Sequence, residues 1–245
     1  CADRCGNGHY RTVGELWLIS YELIRSKRKT VSIRITPEGN VQVRAPLRCP
    51  RSYIDQFVRE KQDWILSHQA EVCTALAQRS QWRIRAGDTL MFCGEPYEVV
   101  LTDQRRGSLD MQAHILVLPE IAVDEVMGLV ERLYRRGGLP WIQERLAYWA
   151  GIMQVTYGTV SLSSAMRRWG SCSSNGNIHI SWLLLFAPQR AIDYVLVHEL
   201  CHRIEFNHSR AFWAQVARYM PDYVAQKKAL AALQQQLFVQ GWSKK

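Results

Sequence analysis

The stretch that most constrains this chain is residues 191–208, AIDYVLVHELCHRIEFNH. Ala191, Ile192, Tyr194, Val195, Leu196, Val197, Leu200 and Cys201 leave almost no polar face, so a helix here must be buried. Yet His198, Glu199 and His202 sit in its middle. An unpartnered buried polar group costs on the order of 1–3 kcal/mol, so three of them call for a shared partner. His198 and His202 are four residues apart and stack on one face, one turn apart. Their imidazoles can reach a single cation at Zn–N distances of about 2.0–2.1 Å. Glu199 lies about 100° around the helix from His198, close enough to touch a water on that cation but not to be a ligand. This is the HExxH arrangement of zinc hydrolases. Hydrogen-bonded core histidines with Glu199 as partner are the competing explanation.

A third ligand is needed, and His208 is the leading candidate. Six residues beyond His202 is about 600° of helix, or about 240° net, so the chain must bend before His208 joins the ligand face. Asn207 is suited to a left-handed helix end and Ser209 to an N-cap, which predicts a turn at 206–208. Metzincins have Gly three residues after the second His, where this chain has Glu205. Glu205 and Asp222 remain as fallback carboxylate ligands. Cys201 falls about 60° from His198 on the side away from His202 and reads as a small apolar residue packing inward. Cys172 reads as a redox-sensitive thiol. Neither cysteine belongs to a Cys–His–Asn/Asp set, so nucleophilic thiol catalysis is not expected.

Elsewhere the pattern predicts an α+β fold. Residues 29–36 and 41–45 alternate around Pro37-Glu38-Gly39-Asn40, predicting a β-hairpin with Val31, Ile33, Ile35, Val41 and Val43 on the buried face. One long helix is expected from Pro50 to about Gln78, on Ile54, Phe57, Val58, Trp64, Ile65 and Val72. Strands are expected at Thr89–Cys93, Tyr97–Thr102 and Ile115–Leu118. Helical periodicity covers 122–150, where Gly137-Gly138-Leu139-Pro140 predicts a kink or break. Strands near Thr159–Leu162 and Asn177–Trp182 precede three helical pieces at 189–206, 209–219 and 222–238. The expected division is a polar tail (1–14), a β-rich N-terminal unit with one long helix (15–120), and a catalytic domain (121–245).

Composition narrows the setting more than the chemistry. The 245 residues are 47% hydrophobic and 22% charged, which excludes collagen-like and largely disordered chains. No apolar run approaches the ~20 residues of a membrane span. Residues 121–245 hold 14 basic and 8 acidic groups, against 17 and 14 in residues 1–120. The catalytic part is thus poor in carboxylates. The seven cysteines are odd in number and scattered, with no CxxC pair. They read as reduced thiols rather than a disulfide framework, which sets the expectation of a cytoplasmic protein. The start at Cys1 is read as a fragment, a processed form or an alternative start, with a lipoprotein-like tether as a further reading.

The stretch RRWGSCSSNGNIHISWLLLFAPQRAIDYVLVHELCHRIEFNHSRAFWAQVARYMPDY resembles the YgjP-like predicted metal-dependent hydrolases, relatives of the SprT-like zinc metallopeptidases. The match lies at Arg168 to Cys172, His198, Glu199, His202, Asn207 to Ser209, Phe212-Trp213 and Met220 to Tyr223. RSKRKTVSIRITPEGNVQVRAP and a helix ending in a DWI segment are similar to the family's opening. The resemblance departs at Gly137 to Pro140, where the family's helix is usually uninterrupted. It implies a small zincin-like catalytic domain, one Zn2+ per chain on His198, His202 and His208, and Glu199 as base; it supplies no substrate.

The residues then predict a zinc-dependent hydrolase, most simply a peptidase acting on polypeptide. Glu199 would take a proton from the attacking water and pass it to the leaving amine. An extended substrate would lie on a sheet edge, for which Asn177–Trp182 is the candidate, with Arg168, Trp169 and Ser171 lining the cleft. The alternative is a nucleic-acid-associated protein. Arg25, Lys27, Arg28 and Lys29 lead into a hairpin exposing Arg34 and Arg44, a ribbon that could track phosphates.

Overall fold

The computed structural model describes residues 11–12, 17–36 and 38–242. It is an α+β protein of two compact units, Cys1–Gln81 and Trp82–Lys245. Most of the expected tail, and Pro37 of the expected turn, lie outside the described residues.

In the first unit β1 (Arg11–Thr12) pairs antiparallel with β2 (Trp17–Leu18). The main sheet holds β3 (Glu22–Ser26), β4 (Ser32–Ile35) and β5 (Val41–Pro46), in the order β3-β5-β4. The β4–β5 hairpin is the expected one, with Arg34 opposite Gln42 and Ile35 opposite Val41. Its turn needs a residue with positive φ, which Gly39 supplies at 86°. Val41, Val43 and Ala45 form a core with Ile54 and Val58 of α1 (Arg51–Glu60) and Ile65 of α2 (Gln62–Gln81). The single helix expected from Pro50 is therefore two, separated at Lys61. Trp64, expected on the apolar face, is 41% exposed. Arg25 is a strut rather than part of a free ribbon. Its guanidinium donates to the carbonyls of Pro46, Leu47 and Cys49 at 2.9–3.0 Å.

The second unit begins with β6 (Thr89–Phe92), β7 (Glu95–Thr102), β8 (Ser108–Asp110) and β9 (Ile115–Pro119), ordered β6-β7-β9-β8. Next come α3 (Val123–Met153), then β10 (Val160–Ser163), β11 (Gly170–Cys172) and β12 (Ile178–Ser181), ordered β10-β12-β11. A 3₁₀ segment (Trp182–Phe186) leads into α4 (Gln189–Cys201), α5 (Arg210–Tyr219) and α6 (Tyr223–Val239). Val99, Leu116 and Leu118 of the first sheet share one core with Ile142 and Leu146 of α3 and Leu196 of α4. Residues 82–120, grouped with the N-terminal unit on sequence, thus pack with the HExxH helix. The shift of pattern near residue 120 marks a change from strand to helix inside one unit.

The break expected at Gly137–Pro140 does not occur: α3 runs continuously through Pro140. The glycines serve close packing instead. A Cβ on Gly138 would lie 2.5 Å from Cδ1 of Leu185, and one on Gly137 would lie 3.2 Å from Phe92 and Leu109. Pro140 removes one intrahelical hydrogen bond, which the packing of Tyr134, Ile142 and Leu146 in the core outweighs. Helix α3 also anchors α4. Arg145 grips the buried Asp193 through Nε–Oδ1 at 3.0 Å and Nη2–Oδ2 at 2.6 Å.

Candidate metal centre

Helix α4 is buried from Ala191 to Val197, as its composition demands. It ends at Cys201 rather than near 206, and His202 caps it. The last carbonyls are taken by a tightened turn in which the N–H groups of Ile204 and Glu205 both donate to Cys201 at 2.9 Å. The bend to His208 follows by a different route from the one expected. Among the described residues the non-glycine positions with positive φ are Cys93, His114 and Gln154, so Asn207 is not left-handed. Its Oδ1 instead accepts the N–H of Ser209 at 3.1 Å, a side-chain turn. Ser209 caps α5 as expected, its Oγ accepting the N–H of Phe212 at 3.2 Å.

This bend brings the three histidines together. One ring nitrogen from each of His198, His202 and His208 lies within 4.8 Å of the others. Nε2 of His198 is 3.1 Å from Nε2 of His208. Three nitrogens around a tetrahedral zinc ion at about 2.0–2.1 Å would stand about 3.3 Å apart, so the donor set fits such a cation. The protonation states fit as well. Nδ1 of His202 donates to the carbonyl of Glu205 at 3.2 Å, which leaves Nε2 as the lone-pair nitrogen. Burial, and then the neighbouring His202, His208 and Lys227, pushes His198 down to about 3, so its imidazole stays neutral. Burial is also the main cause lowering His202. Nδ1 of His198 is buried without a hydrogen-bond partner.

Glu199 is 5% exposed. Burial pushes its carboxyl up to about 7, against the pull of Arg168. A buried carboxyl poised near neutrality is suited to taking and returning a proton. Neither fallback carboxylate joins the cluster of three histidines. Asp222 is held by Arg190 at 3.0 and 2.7 Å, and Glu205 meets the triad through its backbone carbonyl.

Residues 29–233 match the family described as YgjP-like, metallopeptidase domain. The chain belongs to the YgjP-like metallopeptidase family. At the level of that family it is a metal-dependent peptidase, and membership implies a divalent metal and a polypeptide substrate. No curated protein matches the chain. Among its described residues no helix is long and apolar enough to cross a membrane.

The motif residues of this YgjP-like chain outside the HExxH segment line up around the triad. Phe212 lies under all three imidazoles, its ring centroid 4.9, 4.6 and 4.7 Å from those of His198, His202 and His208. Trp213 is 5.8 Å from the rings of His198 and His208 and stacks on Tyr223 at 5.4 Å. Phe212 lies in the first turn of α5, just after the Ser209 cap, and meets the histidines from there. Gly170 was not singled out on sequence, yet a Cβ there would sit 2.5 Å from Oε1 of Glu199. Trp169 packs against the core, and Arg168 is exposed at the surface.

The expected substrate edge is corrected by the sheet order. β12, within Asn177–Trp182, is the central strand, with β10 on one side and β11 on the other. The strand beside the site is β11. The carbonyl of Trp169 accepts from Ser181, and the N–H of Ser173 donates to Asn177. By alternation, the backbone groups of Gly170 and Cys172 face the open edge. Cys201 is fully buried, with its thiol pushed up to about 12 by burial. Cys172 is raised by burial and then by Glu199. Neither is poised as a thiolate nucleophile.

Proposed function

We propose that this chain is a zinc-dependent peptidase in which His198, His202 and His208 hold one Zn2+ and Glu199 is the general base. The observation that carries this reading is the convergence of three imidazoles beside a buried carboxyl that burial raises to about 7. Zinc bound there would acidify a water and polarise the scissile carbonyl. The remaining steps belong to the protein. The open edge of β11 aligns an extended substrate by its main chain, through Gly170 and Cys172. Glu199 takes the proton of the attacking water at a carboxylate oxygen and gives it to the nitrogen of the leaving amine. Phe212, packed under the imidazoles, keeps the rings from turning.

Elemental analysis and a peptide-cleavage assay test the reading together. Glu199→Gln should keep about one zinc per chain and lose hydrolysis, whereas His202→Ala should lose the metal. Purified wild-type protein without a stoichiometric divalent metal would overturn the proposal.

A further inference from the structure

We propose that the site selects polypeptides with Asp or Glu beside the scissile bond, and that Arg168 and Lys227 receive those carboxylates. The inference rests on the peptidase reading above and names its substrate class. Arg168 stands two residues before Gly170, which lies against Glu199 at the head of the open edge. Lys227 projects from α6 with Nζ 4.8 Å from the Trp213 ring centroid, and that ring is 5.8 Å from those of His198 and His208. One cation therefore borders the site on the Glu199 side and the other on the Trp213 side.

The local carboxylates leave these charges uncompensated. Residues 160–230 carry eight basic and four acidic side chains. Asp193 is held by Arg145 and Asp222 by Arg190, and Glu199 is buried. Glu205 is the remaining carboxylate of that stretch. Among the described residues no salt bridge joins Arg168 or Lys227 to any of them. Arg203 is already engaged: it donates to the carbonyls of Thr156 and Ser174, both at 3.1 Å. An anionic polypeptide fits better than a nucleic acid, because the groups at the open edge are strand N–H and C=O groups that pair with a peptide backbone.

The test uses the full-length Glu199→Gln protein, loaded with zinc, and three fluorescent probes of equal length: an oligoglutamate peptide, an oligolysine peptide and a thymidine oligonucleotide. The glutamate peptide should bind tightest, weaken with added salt, and lose about tenfold or more in affinity on Arg168→Glu/Lys227→Glu. The neutral pair Arg168→Gln/Lys227→Gln should fall between, with zinc content unchanged in both. With Glu199 restored, cleavage of a peptide mixture should favour Asp or Glu beside the cut, and the charge-reversed pair should lose that preference. Equal binding of the glutamate and lysine peptides, tighter binding of the oligonucleotide, or indifference to charge reversal would overturn the proposal. Acid-selective binding without any cleavage by the Glu199 protein would sink the peptidase reading and leave the selectivity standing.

Discussion

A side-chain carbon on Gly170 would lie 2.5 Å from Oε1 of Glu199 and 2.8 Å from its Cγ. The strand and the helix approach so closely that only hydrogen fits between backbone and base. Gly170→Ala should therefore push the carboxylate aside without touching the histidines. A misplacement of about 1 Å can cost on the order of 10²-fold in rate. The expected result is kcat down about a hundredfold with zinc content unchanged, read by single-turnover kinetics and elemental analysis. An unchanged kcat would show that Glu199 has other room to move.

Glu199 also makes the metal-free protein sensitive to pH. Its carboxyl, ordinarily at 4.5, is raised to about 7 by burial. Well below pH 4.5 it is protonated in folded and unfolded chains alike and contributes no difference. Between 4.5 and 7 the unfolded chain releases its proton first, so stability falls as pH rises through that window. Above pH 7 the loss levels off at about 3 kcal/mol. Urea titrations of chelator-treated wild type and Glu199→Gln should nearly coincide at about pH 4 and separate at about pH 8, with the variant more stable.

Arg145 and Asp193 tie α3 to α4 through a bidentate pair whose carboxylate is buried. Removing one partner strands a charge, so Arg145→Met should cost about 3 kcal/mol. Arg145→Met/Asp193→Leu removes both charges and should recover much of that loss. If the double variant is as unstable as the single one in urea unfolding, the stranded-charge explanation fails.

Gly138 offers a test of packing against helix propensity. In an exposed helix Gly→Ala stabilises by about 1 kcal/mol. Here the new methyl would meet Leu185 at 2.5 Å, and overpacking costs about 1–3 kcal/mol. Gly138→Ala should thus lower Tm, and adding Leu185→Val should raise it again.

The sequence made the metal helix legible because its signal is local. Three polar residues in an otherwise apolar helix have one economical explanation, and the spacing of His198 and His202 follows from the helical repeat alone. His208 could be read only as a candidate, since the bend depends on Asn207 acting through its side chain. What was misread is non-local. Strand β3 pairs in parallel with β5 across the intervening β4, and Glu22–Ser26 carries no alternation to announce it. Glycine beside proline in α3 signals a break by local rules, yet the opposing Leu185, Phe92 and Leu109 need that space. Asn177–Trp182 alternates like an edge strand, but its position is set by β10 pairing past β11. Gly170 and Lys227 have no chemistry of their own in a linear reading and gain a role only from what folds against them.

His208 belongs to neither helix: α4 has ended and α5 has not begun. The ligand set is thus split across a joint, and closing it requires the joint to hold its shape. Cation uptake and docking of α5 then draw on a single free energy, so the ion would act as a clasp as much as a reagent. Phe206, 69% exposed at that joint, adds little apolar burial of its own to hold the joint when the clasp is released.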